Sequence, residues 1–217
     1  MRSREIEAHK RTLRLSSLQR EVLVGILLGD ACLETQNEGT TYRLKIEQCA
    51  AHEHYLRTLY ELFRPWVLTE PRMRRVRSGS SESANWAFQT VSHAAFRFYA
   101  HQFYDGRRKR VPKLIHRWLT PRGLAHWYMD DGSIKSRESK GVIFNTQGFY
   151  RGDVDRLIGV LHSKFALNAS RRKQQEGDQI YVSGSSFESF FDLVDPYITD
   201  DMRHKVPPAR RTQLPKM

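Results

Sequence analysis

Cysteines and long apolar segments are scarce in this chain. Its 217 residues include only two cysteines, Cys32 and Cys49, at a spacing that fits no metal-binding motif. No apolar run approaches the roughly 18 to 20 residues that cross a bilayer, and the N-terminus is too charged for a secretory signal. We therefore expect an intracellular protein with unpaired thiols, either organellar or from a bacterial cytoplasm. The basic, amphipathic first residues leave organelle targeting open.

Acidic residues are outnumbered by basic ones. The sequence has 36 lysines and arginines against 24 aspartates and glutamates, which gives a net charge of +12 and a pI of about 10.0. The positive charges cluster at 71–78, 107–117 and 170–174. A solvated surface is one interpretation, but runs without interleaved acids make poor ion-paired faces. The charge therefore predicts a polyanionic partner, with nucleic acid first.

Helix and hairpin patterns occur twice along the chain. Ser16 and Gln19 form a capping box before an apolar helix, and Thr120 and Pro121 are an N-cap and first helical residue before another. Hairpin, helix, hairpin and helix patterns follow each of them. A period of about half the chain predicts an internal duplication. We divide the sequence into an N-terminal extension (1–15), a first repeat (16–106), a basic linker (107–119), a second repeat (120–200) and a basic tail (201–217).

Each apolar helix ends in an acid. Asp30 and Asp131 lie 101 residues apart at equivalent places, and Lys109 and Lys205, each closely followed by a proline, lie 96 apart. Acids at a helix C-terminus are unfavourable by roughly 0.3–1 kcal/mol each, and a bound cation would explain their position. A Gly-Asp or Asp-Gly pair is also an ordinary turn after a helix. The duplication favours a divalent-metal site for phosphodiester cleavage, because Mg²⁺ prefers carboxylate, water and phosphate oxygens.

The two helices carry a family motif. LVGILLGDA (23–31) and LAHWYMDDG (124–132) resemble the two copies of the nine-residue motif of the LAGLIDADG homing endonucleases, in their single-chain, two-repeat branch. Matches from LLGDA through EGTTY, the LTP before the second motif, the NTQ at 145–147 and the KVP at 205–207 extend the resemblance over nearly the full chain. It implies an α+β fold of two pseudo-symmetric αββαββα repeats. Two antiparallel four-stranded sheets would form a DNA-binding saddle, with the motif helices at the interface.

The resemblance also implies a reaction and the residues that perform it. The motif acids Asp30 and Asp131 would bind metal, and Lys109 and Lys205 would lie near the scissile phosphates. Glu47 would be a polar residue of the metal and water network. Asn145 and Gln147 are further candidates for that network. The implied reaction is Mg²⁺-dependent hydrolysis of both strands of a long, asymmetric double-stranded DNA, leaving 3′ overhangs. Mn²⁺ is expected to substitute, and Ca²⁺ to bind without supporting cleavage.

Several motif positions depart from the family pattern. Ala31 replaces a glycine, and His126 and Trp127 replace a Gly-Leu pair. Gly25 makes close helix packing plausible at its own level. At His126 we expect either a small partner residue or a looser crossing of the helices. Asp130 aligns with a glycine of the first motif and is expected to be a supporting or turn residue.

Target recognition is expected from the strands, where alternate side chains share one face. The candidates are Arg43, Lys45, Arg72, Arg74, Arg75 and Arg77 in the first repeat, and Lys135, Arg137, Asn145, Gln147, Arg171 and Lys173 in the second. The hairpins of the second repeat are expected at 132–147 and 170–183, the latter turning at Glu-Gly-Asp. Arginine and glutamine can read guanine and adenine edges, although an exposed strand charge often has no such role.

Three functions remain compatible with the sequence. The first is a site-specific DNA endonuclease acting as a monomer, without membrane association. The others are an intron-RNA splicing maturase on the same fold and a DNA-binding regulator that has lost cleavage. Retention of both acids and both lysines favours the nuclease.

Overall fold

The computed structural model of the protein describes residues 3–78, 81–136 and 139–210. Its first half contains, in chain order, α1 (Ser3–Thr12), α2 (Ser17–Leu28), β1 (Cys32–Glu34), β2 (Arg43–Cys49), α3 (Glu53–Phe63), β3 (Arg72–Ser78), β4 (Ser81–Gln89) and α4 (Arg97–Phe103).

A short ladder of β5 (Tyr104–Asp105) and β6 (Arg108–Lys109) precedes the second half. This half contains α5 (Ile115–Trp118), α6 (Pro121–Asp131), β7 (Gly132–Ile134), β8 (Val142–Phe144), α7 (Arg151–Phe165), β9 (Ala169–Gln174), β10 (Gly177–Val182) and α8 (Phe187–Val194). A 3₁₀ helix at Asp200–Lys205 follows.

Two four-stranded sheets have the same topology. Their strand orders are β1-β2-β4-β3 and β7-β8-β10-β9, and every neighbouring pair is antiparallel. In each sheet two hairpins are joined through their second strands, and a helix lies between the hairpins in the chain. The predicted α+β fold with duplicated sheets is confirmed.

The chain divides into two compact units. The first unit comprises residues 1–20 and 30–100, and the second comprises residues 21–29 and 101–217. Most of α2 therefore belongs to the same unit as α6.

In the first unit, α3 covers one face of the sheet. Leu44 and Ile46 of β2 and Phe88 of β4 are buried, and Tyr60 of α3 meets Phe88 edge to face at 5.6 Å between ring centroids. The predicted capping box is present: Ser16 Oγ accepts from the Gln19 amide over 3.1 Å, and Gln19 Oε1 accepts from the Ser16 amide over 3.0 Å. This core and cap fix the start of α2.

In the second unit, aromatic side chains from α6, β8 and α8 form the core. Trp127 stacks on Phe144 at 4.2 Å, and Tyr128 packs edge to face against Phe190 at 5.1 Å. Thr120 is the N-cap of α6, as predicted, because its side chain accepts from the amide of Gly123. The apolar part of the second motif is therefore core, as the sequence indicated.

The N-terminal extension contains a helix that the sequence analysis did not assign. The His9 ring donates to the carbonyl of Pro65 over 2.7 Å, and the His93 ring donates to the carbonyl of Lys10 over 3.0 Å. These bonds hold α1 to the first unit. In the part of the chain that the structure describes, no helix has the length and apolar composition needed to cross a membrane.

Two expectations about the second repeat need correction. The strands of its first hairpin are shorter than the predicted 132–147, so Lys135, Asn145 and Gln147 flank the strands instead of lying within them. The second hairpin turns at 175–176, because Gln174 pairs with Gly177. Gly177, at φ 136, already belongs to β10. A Cβ there would lie 2.8 Å from the carbonyl oxygen of Gln147, so this strand position requires glycine.

The two motif helices are in backbone contact within the second unit. A Cβ built on Gly25 would lie 2.2 Å from the carbonyl oxygen of Gly123. Next to this contact, Thr120 Oγ1 donates to Glu21 Oε2 over 3.0 Å. The close packing expected at Gly25 is therefore present, with Gly123 as its small partner.

His126 is buried within this unit and is held neutral. Desolvation, together with the positive charge of Arg122, lowers the pKa of His126 from 6.5 to about 3. A neutral, buried imidazole belongs to the core, and the folded state becomes less stable at a pH low enough to protonate the unfolded chain.

We predict that Gly25→Ala lowers the free energy of unfolding by roughly 1–3 kcal/mol or more, because a new methyl group would meet backbone that cannot move aside. Gly159→Ala on α7 is the matched control, since a Cβ there has no heavy atom within 4 Å. It is expected to stabilise by about 0.5–1 kcal/mol through helix propensity. Urea denaturation measures both. Equal stability of the two variants would contradict the close backbone approach.

We also predict an acid sensitivity that depends on His126. The unfolded chain gains a proton below its ordinary pKa of 6.5, whereas the folded chain gains it only near 3, so stability falls as the pH falls through this window. From pH 7.5 to 5, the wild type should lose about 2 kcal/mol more than His126→Gln. Parallel stability profiles across this range would contradict the assignment.

Candidate active site and nucleic-acid interface

The second motif helix, α6, ends in two half-buried acids, Asp130 and Asp131. The amide of Asn145 donates to the carbonyl of Asp131 over 3.0 Å. The Lys205 ammonium donates to the carbonyl of Met129 and, at 3.3 Å, to that of Asp130. A lysine therefore lies at the C-terminal end of the helix that carries Asp131.

The first motif helix ends in the same way. The Lys109 ammonium donates to the carbonyl of Gly29, which aligns with Asp130 in the repeat. The Asp130 side chain fills the space beside Gly29, since a Cβ built there would lie 2.3 Å from Asp130 Oδ2. Asp130 thus packs beside the first motif helix, in keeping with a supporting residue.

These lysines account for acids at the ends of both helices. A lysine that donates to the last carbonyls of a helix opposes the negative end of its dipole. We expected a bound cation to explain the position of the acids. In the structure, Lys109 and Lys205 place an ammonium at the two helix ends.

The first motif acid, Asp30, follows Gly29 in the chain and lies exposed in the first unit. Its Oδ2 accepts a hydrogen bond of 3.2 Å from the side-chain amide of Gln48. Gln48 is only 5% exposed, on the same face of β2 as Leu44 and Ile46. A buried glutamine therefore orients the carboxylate of Asp30.

Glu47, the residue predicted for the metal and water network, is next to Gln48 in β2. It lies on the opposite face of β2, where Asn85 Nδ2 donates to it over 2.9 Å and Lys45 lies 3.9 Å away. The sequence did carry a signal for Gln48: it is a polar residue at an apolar position of the alternating strand.

The open face of the first sheet, meaning the face away from α3, carries much of the predicted basic surface. Register places Arg43, Lys45, Arg72 and Arg74 there. Lys45, Arg72 and Arg74 line a cavity of about 180 Å³ together with Gln89. Four predicted DNA-binding residues thus share one surface.

An acid is paired with this basic surface. Glu34 accepts from both Nε and Nη2 of Arg43, at 3.2 and 2.9 Å, and lies 3.6 Å from Lys45. Partial burial raises the pKa of Glu34, but Arg43 and Lys45 outweigh that effect and lower it. Glu34 therefore stays ionised and fixes the Arg43 fork.

Arg75 is a correction to the predicted interface. It pairs with Ala84 and alternates with Arg74, so it lies on the other face of β3, on the side of the sheet where α3 packs against β2 and β4, and its side chain is exposed. The side chain of Arg77 lies outside the described residues.

The open face of the second sheet, meaning the face away from α7, combines polar and aromatic groups. The Lys135 ammonium lies 5.2 Å from the centroid of the Tyr181 ring. Gln179 Nε2 donates to Asn145 Oδ1 over 2.8 Å. Lys135 and Asn145 thus lie on a surface suited to nucleic acid, although neither is within a strand. Gln147 is half-buried, and Arg137 lies outside the described residues.

Arg171 and Lys173 lie on the face of the second sheet that packs against α7. Arg171 is opposite buried Ile180 in the ladder and pairs with Asp155 of α7 at 3.1 Å. Lys173 shares its face by alternation. The intervening Arg172, which the prediction omitted, lies exposed opposite Gln179 on the open face.

The basic linker has a structural role as well. Arg108 donates to the carbonyls of Gly148 and Phe149 at 3.1 and 3.2 Å. Arg110 donates to the carbonyls of His101 and Gln102 at 2.8 and 3.2 Å. These two arginines hold the segment that contains Lys109.

Within residues 3–78, 81–136 and 139–210, no three His, Cys, Asp or Glu residues form a group that could hold a metal ion.

Comparison with known proteins identifies the family. Residues 20–190 match the LAGLIDADG DNA endonuclease family, and the chain belongs to it. Probable intron-encoded endonuclease 1 of Wickerhamomyces canadensis is 30% identical over 203 residues, covering 91% of this chain and 87% of the relative. The resemblance drawn from the two motifs is confirmed.

A solved structure and a second relative extend the comparison. The homing endonuclease I-WcaI bound to its DNA recognition sequence is 28% identical, with a TM-score of 0.88 over 94% of this chain and 92% of that one. Cytochrome b mRNA maturase bI2 of Debaryomyces hansenii is 27% identical, covering 86% of this chain and 72% of the relative.

Proposed function

We propose that the protein is a site-specific double-strand DNA endonuclease of the intron-homing type, acting as a monomer. It hydrolyses both strands of a long, asymmetric target with Mg²⁺ and leaves 3′ overhangs. The observation that carries this proposal is the matched end of the two motif helices. At the end of each motif helix a lysine ammonium binds the carbonyl of the residue just before the motif acid.

Asp30 and Asp131 are the residues that would hold Mg²⁺. Their carboxylates are hard oxygen donors, one exposed and one half-buried, so water and phosphate oxygens can reach them. A divalent cation there would lower the pKa of water and stabilise charge on the phosphate. Mn²⁺ is proposed to substitute, and Ca²⁺ to bind without supporting cleavage.

Side chains of this protein would position the carboxylate and ammonium groups that take part in the reaction. Gln48 holds the Asp30 carboxylate through Oδ2, which fixes the direction of that ligand. The ammonium groups of Lys109 and Lys205 bind the carbonyls of Gly29 and Asp130, from where they would neutralise charge that develops on phosphate oxygens.

The open faces of the two sheets are proposed to bind the target. Arginines and glutamines there can read guanine and adenine edges bidentately, whereas lysines mainly neutralise phosphate charge. Glu34 leaves the Arg43 fork ordered before DNA binds, so less side-chain entropy is lost in the complex. The net charge of +12 supports a salt-sensitive association.

Intron-RNA binding is the second candidate function. The similarity to a cytochrome b mRNA maturase over 86% of this chain favours it. A maturase would use the same fold without needing cleavage, so metal-dependent cleavage separates the two functions.

The test is cleavage of a plasmid library with a randomised target segment in Mg²⁺. The wild type should cut a defined sequence, and Asp30→Asn or Asp131→Asn should reduce double-strand cleavage by at least roughly 100-fold, because charge stabilisation of several kcal/mol is lost. Target affinity should change less than about tenfold, since phosphate and base contacts remain.

Asp105→Asn, at an exposed aspartate, is the control and should cut normally. Full activity of either motif variant would remove the metal-site proposal. Failure of the wild type to cut any sequence would overturn the nuclease proposal, and splicing of intron RNA would then be measured.

Neighbouring arginines on opposite faces test the interface. We predict that Arg74→Ala and Arg172→Ala weaken target binding by about 5- to 100-fold, the range of a lost base contact. Arg75→Ala and Arg171→Ala, on the sides of the sheets away from the open faces, should change it less than about threefold, as expected of residues without a DNA contact. Fluorescence anisotropy at fixed salt measures this. Equal losses within each pair would contradict the assignment of the open faces.

A further inference from the structure

Tyr128 lies on the second motif helix, three residues before Asp131. Its side chain is fully buried, and its hydroxyl donates to the backbone carbonyl of Lys205 over 2.7 Å. The Lys205 ammonium in turn donates to the carbonyls of Met129 and Asp130. Both ends of Lys205, its carbonyl and its ammonium, are thus bound to the same helix.

The Tyr128 ring is held in a fixed orientation. It packs edge to face against Phe144, Phe190 and Phe191, with centroid distances of 5.9, 5.1 and 5.8 Å. A Cβ on Gly132 would lie 1.9 Å from the Tyr128 ring, so glycine there leaves room for it. Burial raises the pKa of the Tyr128 hydroxyl, which remains a proton donor at neutral pH. The Lys205 carbonyl therefore has a rigid anchor.

The first repeat holds its lysine by different means. The position equivalent to Tyr128 is Leu27, which has no hydroxyl, and Ala31 stands where the second motif has glycine. Lys109 is instead paired with Tyr104 in the β5–β6 ladder, and the next amide, that of Arg110, donates to the carbonyl of Phe103 over 2.8 Å. A hydroxyl anchor from the motif helix is specific to the second repeat.

We propose that Tyr128 is a positioning residue for Lys205 and that it serves cleavage of only one DNA strand. The catalytic part of this inference rests on the proposed nuclease function. Without the hydroxyl, the backbone of Lys205 is held less firmly and its ammonium lies less often at the end of α6. Lys109 is unaffected, because no bond to Tyr128 holds it in place.

Tyr128→Phe is the test, since it removes one hydroxyl and keeps the aromatic ring. On supercoiled plasmid carrying the target, the slower strand should lose about 2- to 10-fold in rate, the range for one lost hydrogen bond. Nicked circles should accumulate. End labelling should show that the slowed strand is the one slowed by Lys205→Met, with target affinity unchanged.

A second measurement does not require cleavage. Lysine acetylation followed by mass spectrometry should show Lys205 reacting about 2- to 10-fold faster in Tyr128→Phe than in the wild type, with Lys109 unchanged. Tyr55→Phe, a buried tyrosine of the first unit, is the matched control and should alter neither lysine nor the ratio of strand rates.

Each outcome decides one part. Equal slowing of both strands, or no slowing, would overturn the strand-specific role of Tyr128. Unchanged reactivity of Lys205 would overturn the positioning itself. If the wild type cuts no DNA but Lys205 becomes more reactive in Tyr128→Phe, the nuclease proposal fails and the positioning of Lys205 stands.

Discussion

The backbone contact between Gly25 and Gly123 is the constraint on which the second unit depends. Any side chain at position 25 would collide with a carbonyl, so this level of the helix pair tolerates only glycine. The contact keeps residues 21–29, which include most of α2, with α6, although the rest of their repeat forms another unit. It thereby fixes the carbonyl ends of both helices in one unit, where Lys109 and Lys205 can reach them. Packing between Gly25 and Gly123 therefore determines which charged groups can bind the helix ends several residues further along.

The helix ends show how an acid can follow the last turn of a helix at a small electrostatic cost. A carboxylate after the last turn adds to the negative end of the helix dipole, and an ammonium on the same carbonyls offsets it. The two lysines differ in how the chain holds them: Lys109 is in a strand ladder, and Lys205 is bound through Tyr128. The two helix ends therefore have a similar arrangement of acid and lysine, although different local structures hold the two lysines.

The fold could be predicted from sequence because its signals are local and repeated. The capping box at Ser16, the N-cap at Thr120 and the alternation of β2 each specify an element without tertiary information. The faces of β3 and β9 could not be predicted as well, since their charged residues run consecutively and give no alternation. The sequence therefore does not separate Arg75 from Arg74 or Arg171 from Arg172, and register with the neighbouring strand assigns each to a face. Similarly, only the tertiary structure brings Gln48 to Asp30.

The Glu34–Arg43 pair has a consequence for symmetry. The residue equivalent to Glu34 in the second repeat is Lys135, which follows β7, so equivalent positions of the two repeats carry opposite charge. A homodimer of identical subunits cannot do this, because its two halves present the same residues and would favour a palindromic sequence. Fusion into one chain frees each half to change independently. The charge reversal at this single position shows that the two repeats have diverged here.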